Sequence, residues 1–375
     1  MKRAGLIVFG AIFLAPVLLS AASPLLKGFY WMSGTGRMLS APESRFKRFL
    51  DNFDRNLKSN PYISGVYLNA RWNNINPEEG VYKFDRLDKL ISIIKKHKKY
   101  YHLTIYPGYS SPSFIYKKGC VAFKAVDPNR YRPTHGQELT IPLPWDPVYR
   151  KYYYEMLANL AKKYAADPNL IAVTVVPYSF KSSELHLPAS RKDLKNWEKY
   201  PGYKQKLVVE AKSAINKFAA LFPKQQLTFE LGMLVGAQRS EAQITSIIEY
   251  GYEKYPDRFT IQSDQLNGKF DNSQMFTYKL IMKYKDRGHN GFQSLSAWRY
   301  PNTAKRQGTM ELAVLNYVKT GAEYWQLWYG DGDSVEVCKK LNKILKQAES
   351  MGCQPYLEKL KKENKYKAFV PSYRR

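Results

Sequence analysis

Eight short apolar runs, each followed by a longer segment with apolar residues at helical spacing, constrain this chain more than any other feature. The runs cover residues 28–32, 65–69, 101–106, 171–177, 226–231, 259–263, 291–295 and 324–329. Strand-like runs that alternate with helical periods predict parallel βαβ units. Eight such units close into a (β/α)8 barrel, the TIM-barrel α/β architecture. A chain of 375 residues suits one barrel with loop insertions, and no low-complexity linker divides it. The expected single domain spans residues 23–353. The competing open, doubly wound sheet needs a phosphate-binding glycine turn after an early strand. Gly34-Thr35-Gly36 lacks the third glycine of such a turn.

The helical segments carry their own signals. Leu87, Leu90, Ile91 and Ile94 share one face behind Asp85, which reads as a cap. Asp146-Pro147 opens a second helix. Leu207, Ala211, Ile215, Phe218 and Phe222 align in a third, which Pro223 ends, and Ser334 caps a segment with Val335, Cys338, Leu341 and Leu345 inward. Residues 354–375 read as a basic terminal helix and frayed tail.

Residues 1–22 read as a signal peptide. Lys2 and Arg3 precede an apolar stretch from Leu6 to Leu19, and Ser20-Ala21-Ala22 supplies small residues for cleavage. The stretch is short for a membrane span. The expectation is a secreted or periplasmic protein. The formal net charge is +27, and the leader's only charges are Lys2 and Arg3, so the mature chain carries +25. Such a charge favours anionic partners. No zinc-finger spacing, Arg-rich arm or RNA-binding aromatic motif points to a specific nucleic acid. A solvated basic surface able to touch anionic lipid, glycan or cell wall fits better. Three cysteines are too few for a disulfide framework. Cys338 reads as core, while Cys120 and Cys353 are free to pair in an oxidising compartment. The five histidines show no metal-ligand spacing, so no metal or cofactor is implied.

In a barrel, chemistry sits where the strands end at their C-terminal side. Arg71-Trp72 follow the second run, Tyr106 the third, and Ser182-Ser183-Glu184-Leu185-His186 the fourth. Asp264 and Asn267 follow the sixth run, Gln293, Ser296 and Trp298 the seventh, and Gln326, Trp328 and Asp331 the eighth. Aromatic residues make up 15% of the chain, including 30 Tyr and 7 Trp. The C–H face of a sugar ring packs well on such rings, so at least two of Trp72, Trp298, Trp325 and Trp328 are expected to form a platform and the rest to be core.

The stretch 71–88 is specific. Arg71-Trp72, Pro77-Glu78-Glu79-Gly80 and Val81-Tyr82-Lys83-Phe84-Asp85-Arg86-Leu87-Asp88 resemble the second-strand segment of clan A glycoside hydrolases, among them endoglucanase-like and β-galactosidase-like members. The resemblance implies a TIM-barrel glycosidase with two catalytic glutamates. The acid/base at the end of the fourth strand corresponds to Glu184, with Ser183 replacing the usual preceding Asn. The nucleophile's place at the end of the seventh strand holds Gln293, an amide that cannot form a glycosyl-enzyme ester.

Either the strand alignment is shifted, or another carboxylate serves, or the protein is not a conventional retaining glycosidase. Asp331 can reach across from the eighth strand and is the expected catalytic partner. Glu230, inside Leu227–Leu231 in the fifth run, is a further carboxylate able to face the barrel mouth. Arg71, Trp72, Tyr106, Asp264, Asn267, Gln293, Trp298, Gln326 and Trp328 are the expected carbohydrate-binding residues. Two functions fit: an exported glycoside hydrolase with Glu184 as acid/base, or a non-catalytic carbohydrate-binding barrel of the envelope. A second carboxylate near Glu184 separates them.

Overall fold

The computed structural model describes residues 25–127, 132–235 and 240–369. The expected leader and the end of the tail lie outside them. Eight parallel strands form a closed barrel: β1 (Gly28–Met32), β2 (Ile63–Arg71), β3 (Tyr100–Tyr106), β4 (Leu170–Thr174), β5 (Gln226–Glu230), β6 (Phe259–Leu266), β7 (His289–Ser294) and β8 (Tyr324–Leu327). Each pairs with its neighbours in chain order, and β8 closes on β1 with Gly28 opposite Tyr324. The barrel expected from eight alternations is thus the fold, and the open sheet is not.

One main helix follows each strand: α1 (Glu43–Ser59), α2 (Asp85–Lys96), α3 (Pro147–Tyr164), α4 (Tyr203–Leu221), α5 (Glu241–Lys254), α6 (Phe276–Tyr284), α7 (Met310–Val318) and α8 (Val335–Met351). Asp146 caps α3 as its sequence suggests, accepting the backbone N–H groups of Val148 and Tyr149 at 2.8 and 3.0 Å. Such a cap is worth about 1 kcal/mol. Ser334 caps α8 through the N–H of Val337. Asp85 does not cap α2. Phe84 occupies that position, and Asp85 is the first helical residue, where a negative charge meets the positive end of the helix dipole.

The core lies between strands and helices. Leu68 and Ala70 of β2, Leu103 and Ile105 of β3, and Phe229 of β5 point outward into one continuous apolar cluster with the helix faces. Leu87, Leu90, Ile91 and Ile94 of α2 are all buried in it. Each contributes about 1.5–3 kcal/mol relative to exposure. The last helix, α9 (Cys353–Lys362), buries Tyr356 and Leu360 against α7 and α8. Residues 353–362 therefore pack as part of the barrel body rather than as a loose tail. The three thiols are free, with Cys120 and Cys338 buried and Cys353 exposed.

Between β3 and α3 a two-stranded antiparallel ribbon, Ala122–Val126 with Glu138–Pro142, rises over the C-terminal rim. Its loop is tied down by the buried carboxylate of Asp127, which Lys181 approaches at 3.4 Å and Arg132 at 3.5 Å. Lys181 also donates to the Thr134 hydroxyl at 2.5 Å. The ribbon is thereby anchored to the loop after β4, the loop that carries Glu184.

Candidate active site

Strand alternation decides what enters the barrel. In β2 the period of two puts Tyr67 and Asn69 on the inner face. In β3 it puts His102, Thr104 and Tyr106 there; in β5, Gln226, Thr228 and Glu230; in β6, Gln262 and Asp264. The interior is accordingly polar above a small apolar floor of Leu26, Tyr30, Ile171, Ala172 and Tyr324. Buried polar groups cost several kcal/mol when unpaired, so they must satisfy one another.

They do so in a connected chain. Tyr324 donates to Gln262 Oε1 at 2.6 Å, and Gln326 donates to the same oxygen at 3.0 Å. Gln326 also donates to His102 Nδ1 at 3.2 Å. That leaves the His102 proton on Nε2, facing the hydroxyls of Thr174 and Thr228 at 2.8 Å each. Burial holds His102 neutral, with its pKa pulled down to about 3. Gln262 finally donates to Asp264 Oδ1 at 2.6 Å.

Asp264 is one of three carboxyls at the mouth. Glu230, at the end of β5, is 1% exposed. It accepts from the Tyr67 hydroxyl at 3.1 Å and from Thr174 at 3.4 Å, both on Oε1. The carboxyl of Asp264 lies at hydrogen-bonding range of Glu230. Two buried carboxyls that close favour one proton between them over two negative charges. Burial pushes both pKa values up; the charge of Glu230 raises Asp264 further, while Ser183 and Asp264 pull Glu230 back by hydrogen bonding and the charge of Glu184 adds to its rise. Glu184 completes the group. Its loop returns beside the end of β5, where Leu185 N–H donates to the Glu230 carbonyl at 3.1 Å and Leu234 N–H to the Leu185 carbonyl at 3.0 Å. Burial, reinforced by the charge of Asp264, raises Glu184 to about 8.

The opposite flank is aromatic. The Tyr67 hydroxyl lies 3.0 Å from Ser183 Oγ and 3.4 Å from the Tyr106 hydroxyl. Tyr106 accepts from Asn69 at 3.0 Å, and Asn69 in turn receives Gly36 N–H at 2.6 Å. Gly108 locks the loop after β3 against the loop of Glu184. Its φ is +64°, and a Cβ there would collide with the carbonyl oxygens of Ser179 and Phe180.

The structure sorts the residues expected from sequence. Glu184, Asp264 and Tyr106 meet in this group, with Arg71 exposed at the end of β2 beside Tyr106. Gln293 sits on the inner side of β7 opposite Gln326, 8% exposed. Gln326 is buried within the polar chain beneath the mouth. Asp331 is fully buried and accepts Trp298 N–H at 2.9 and 3.0 Å and Arg299 N–H at 2.9 Å. Its carboxylate braces two loops, and burial raises it to about 6. Trp72 is also fully buried, packed on Tyr149 and Tyr153. The chain bends into a short helix at Trp72–Ile75, which turns the indole into the wall and leaves no face for a sugar. Asn267 is buried and shapes its own loop, accepting Lys269 N–H at 3.0 Å. Trp298 and Trp328 are half-buried, with their indole N–H groups bound to the carbonyls of Gly308 and Ser294. Tyr67 was not among the expected site residues, and Glu230 was seen only as a possible mouth carboxylate. The alternation of polar residues at 226, 228 and 230 was the signal that could have promoted it.

Residues 62–212 match the model of a glycoside hydrolase family described as β-galactosidase, Glyco_hydro_42. Among curated proteins, none matches the sequence. Among solved structures, the cold-adapted β-galactosidase from Rahnella sp. R3 aligns with a TM-score of 0.55 at 12% identity, covering 88% of this chain and 57% of that one. The β-galactosidase from the psychrophilic Marinomonas ef1 aligns at 0.51 and 12% identity, covering 88% and 60%. The catalytic domain of β-amylase from Paenibacillus polymyxa aligns at 0.50 and 10% identity, covering 88% of this chain and all of that domain. The chain thus spans less than two thirds of the length of the β-galactosidases it matches. By the sequence match over β2 to α4 and by the fold around it, the chain resembles the TIM-barrel glycosidases of clan A.

Proposed function

We propose that this protein is an exported glycoside hydrolase that cleaves O-glycosidic bonds with Glu184 as general acid/base. The observation that carries the reading is the meeting of three carboxyls, Glu184, Glu230 and Asp264, at one barrel mouth. With its pKa raised to about 8, Glu184 holds a proton at neutral pH. The Glu230–Asp264 pair retains one proton and one negative charge. One acid and one anion at the same mouth are what glycoside hydrolysis requires. Glu184 protonates the departing glycosidic oxygen as the C1–O bond breaks, and a water that then adds at C1 gives its proton back to Glu184. The pair faces the positive charge that develops at C1, and Asp264, half-buried above the buried Glu230, is the member that reaches the sugar. Tyr106 contacts the ring and Tyr67 supports Glu230 from beneath, while Arg71 and Gln293 hold hydroxyls. The substrate is a poly- or oligosaccharide, and the basic surface favours one held in an anionic envelope.

A second reading, a carbohydrate-binding barrel without turnover, draws support from Gln293 at the position where the resemblance expects a nucleophile. A screen of nitrophenyl glycosides, β-galactosides first, together with cell-wall polysaccharides, tests the reading. Release of reducing sugar is expected; saturable binding with no turnover on any of them favours the second reading. Export is checked by N-terminal sequencing of protein from the producing cell, expected to begin near Ser23; an intact Met1 overturns it.

A further inference from the structure

The loops after β2 and β3 and the ribbon line an open cavity of about 600 Å³ that the carboxyl site does not use. We propose that this cavity is a second carbohydrate subsite, one that holds an uncharged oligosaccharide extending from the site of hydrolysis. The inference rests on the glycosidase reading for what the main site does, but not for its own test.

Three observations carry it. The volume lies within the range of small-molecule sites. Its wall is polar in the way sugars need, with Asn73, Asn74, Ser113, Glu138 and Thr140 around it. Finally, Tyr109 stands at the edge, 40% exposed, a ring whose face can take the C–H side of a pyranose.

Its position joins the cavity to the carboxyl site. Tyr109 N–H donates to the Phe180 carbonyl at 3.0 Å, and the Lys181 ammonium lies 4.7 Å from the centre of the Tyr109 ring. Phe180 and Lys181 belong to the loop that ends in Glu184. A chain leaving the carboxyl site along this edge therefore meets Tyr109 first and the cavity beyond it. The charge of the ligand follows from the lining. Among the described residues no lysine or arginine lines the cavity, and its carboxylate Glu138 is already paired with Lys124 and Lys192. Lys181 at the edge is engaged by the Tyr109 ring and by Asp127, so the lining offers amides and hydroxyls that suit neutral sugar hydroxyls.

The test is calorimetric titration of the full chain with β-1,4-galactobiose and galactotetraose, and with cellobiose and cellotetraose. In at least one series the tetrasaccharide is expected to bind about tenfold tighter than the disaccharide, the size of one ring contact with a hydrogen bond. Tyr109→Ala is expected to remove that gain and leave disaccharide binding unchanged, and Tyr109→Phe, which keeps the ring, to retain it. No gain with chain length in either series, or a gain that survives Tyr109→Ala in a folded variant, overturns the subsite. Binding is read without turnover. A Tyr109-dependent gain in a protein that hydrolyses nothing would therefore sink the hydrolase reading and keep the subsite, while hydrolysis with no gain would do the reverse.

Discussion

On the β7–β8 side of the mouth, Asp331 has both carboxylate oxygens filled by backbone N–H groups, and the indoles of Trp298 and Trp328 are bound to backbone carbonyls. On the β5–β6 side, no backbone N–H completes Glu230, whose neighbours are the hydroxyls of Tyr67 and Thr174 and the carboxyl of Asp264, and Glu184 is pushed up to about 8. The two sides use the same residue types at the same rim. What separates them is satisfaction. Polar groups completed by the backbone hold loops in place, whereas groups left short of backbone donors store the perturbed protonation that catalysis draws on. Position at a strand end therefore does not identify a catalytic carboxylate; the state of its hydrogen bonds does.

The largest expected effect lies on the unsatisfied side. Glu184→Gln keeps the shape and reach of the side chain but has no proton to give. Hydrolysis of substrates with poor leaving groups should fall about 10²- to 10⁴-fold. Nitrophenyl glycosides, whose leaving group needs little protonation, should lose less. Steady-state kinetics on both substrate types checks this, with circular dichroism to confirm the fold. Full activity of the variant on an alkyl glycoside would remove Glu184 from its role.

Asp331→Ala probes the satisfied side. It strands two backbone N–H groups in the interior, which costs about 1–3 kcal/mol. A melting temperature lower by several degrees is expected, with kcat per folded molecule almost unchanged. A loss of activity of the size seen for Glu184→Gln, in a stably folded variant, would move Asp331 into the chemistry and erase the contrast between the two sides.

A subtler effect is the pH dependence of stability. Glu230 is raised from 4.5 to about 7 by burial, so the folded state binds its proton more tightly than the unfolded chain does. The stability this supplies is fully present below about 4.5 and is lost as pH rises through about 7. Glu230→Gln stays neutral at every pH. Its melting temperature should match that of the parent near pH 5 and exceed it by a margin that grows between pH 5 and 8. A constant difference across that interval would mean that Glu230 is not held protonated.

The barrel was legible because strands and helices differ in period, and all eight strands lie where apolar runs met turn signals. Strand ends were less legible. The fourth run is expected to extend through residue 177, but the strand ends at Thr174, with one further bond from Val175 N–H to the Thr228 carbonyl at 2.8 Å. The site was legible in part. Glu184 lies ten residues beyond β4, and only the return of its loop beside β5 brings it to Glu230, a tertiary fact with no local signal. Tyr67 and Glu230 hid inside runs that looked apolar. Trp72 was read as a rim residue because nothing in Arg71-Trp72-Asn73 announces that the chain turns into the wall.

The smallest effect concerns Gln293, where the two functional readings diverge. Its amide lies on the inner side of β7, nearly buried, beside Gln326. If it only holds a sugar hydroxyl, Gln293→Ala removes one neutral hydrogen bond, worth about 0.5–1.5 kcal/mol. KM should then rise a few-fold to about tenfold, with kcat little changed, because the interaction is the same in ground and transition states. Gln293→Glu sharpens the point. With Asp264 and Glu230 already supplying the anion, a further carboxylate adds repulsion to a crowded mouth, and hydrolysis should not increase. A gain of hydrolysis in Gln293→Glu would instead mean that the anion belongs on β7, and that the parent protein binds carbohydrate at a site which lacks its nucleophile.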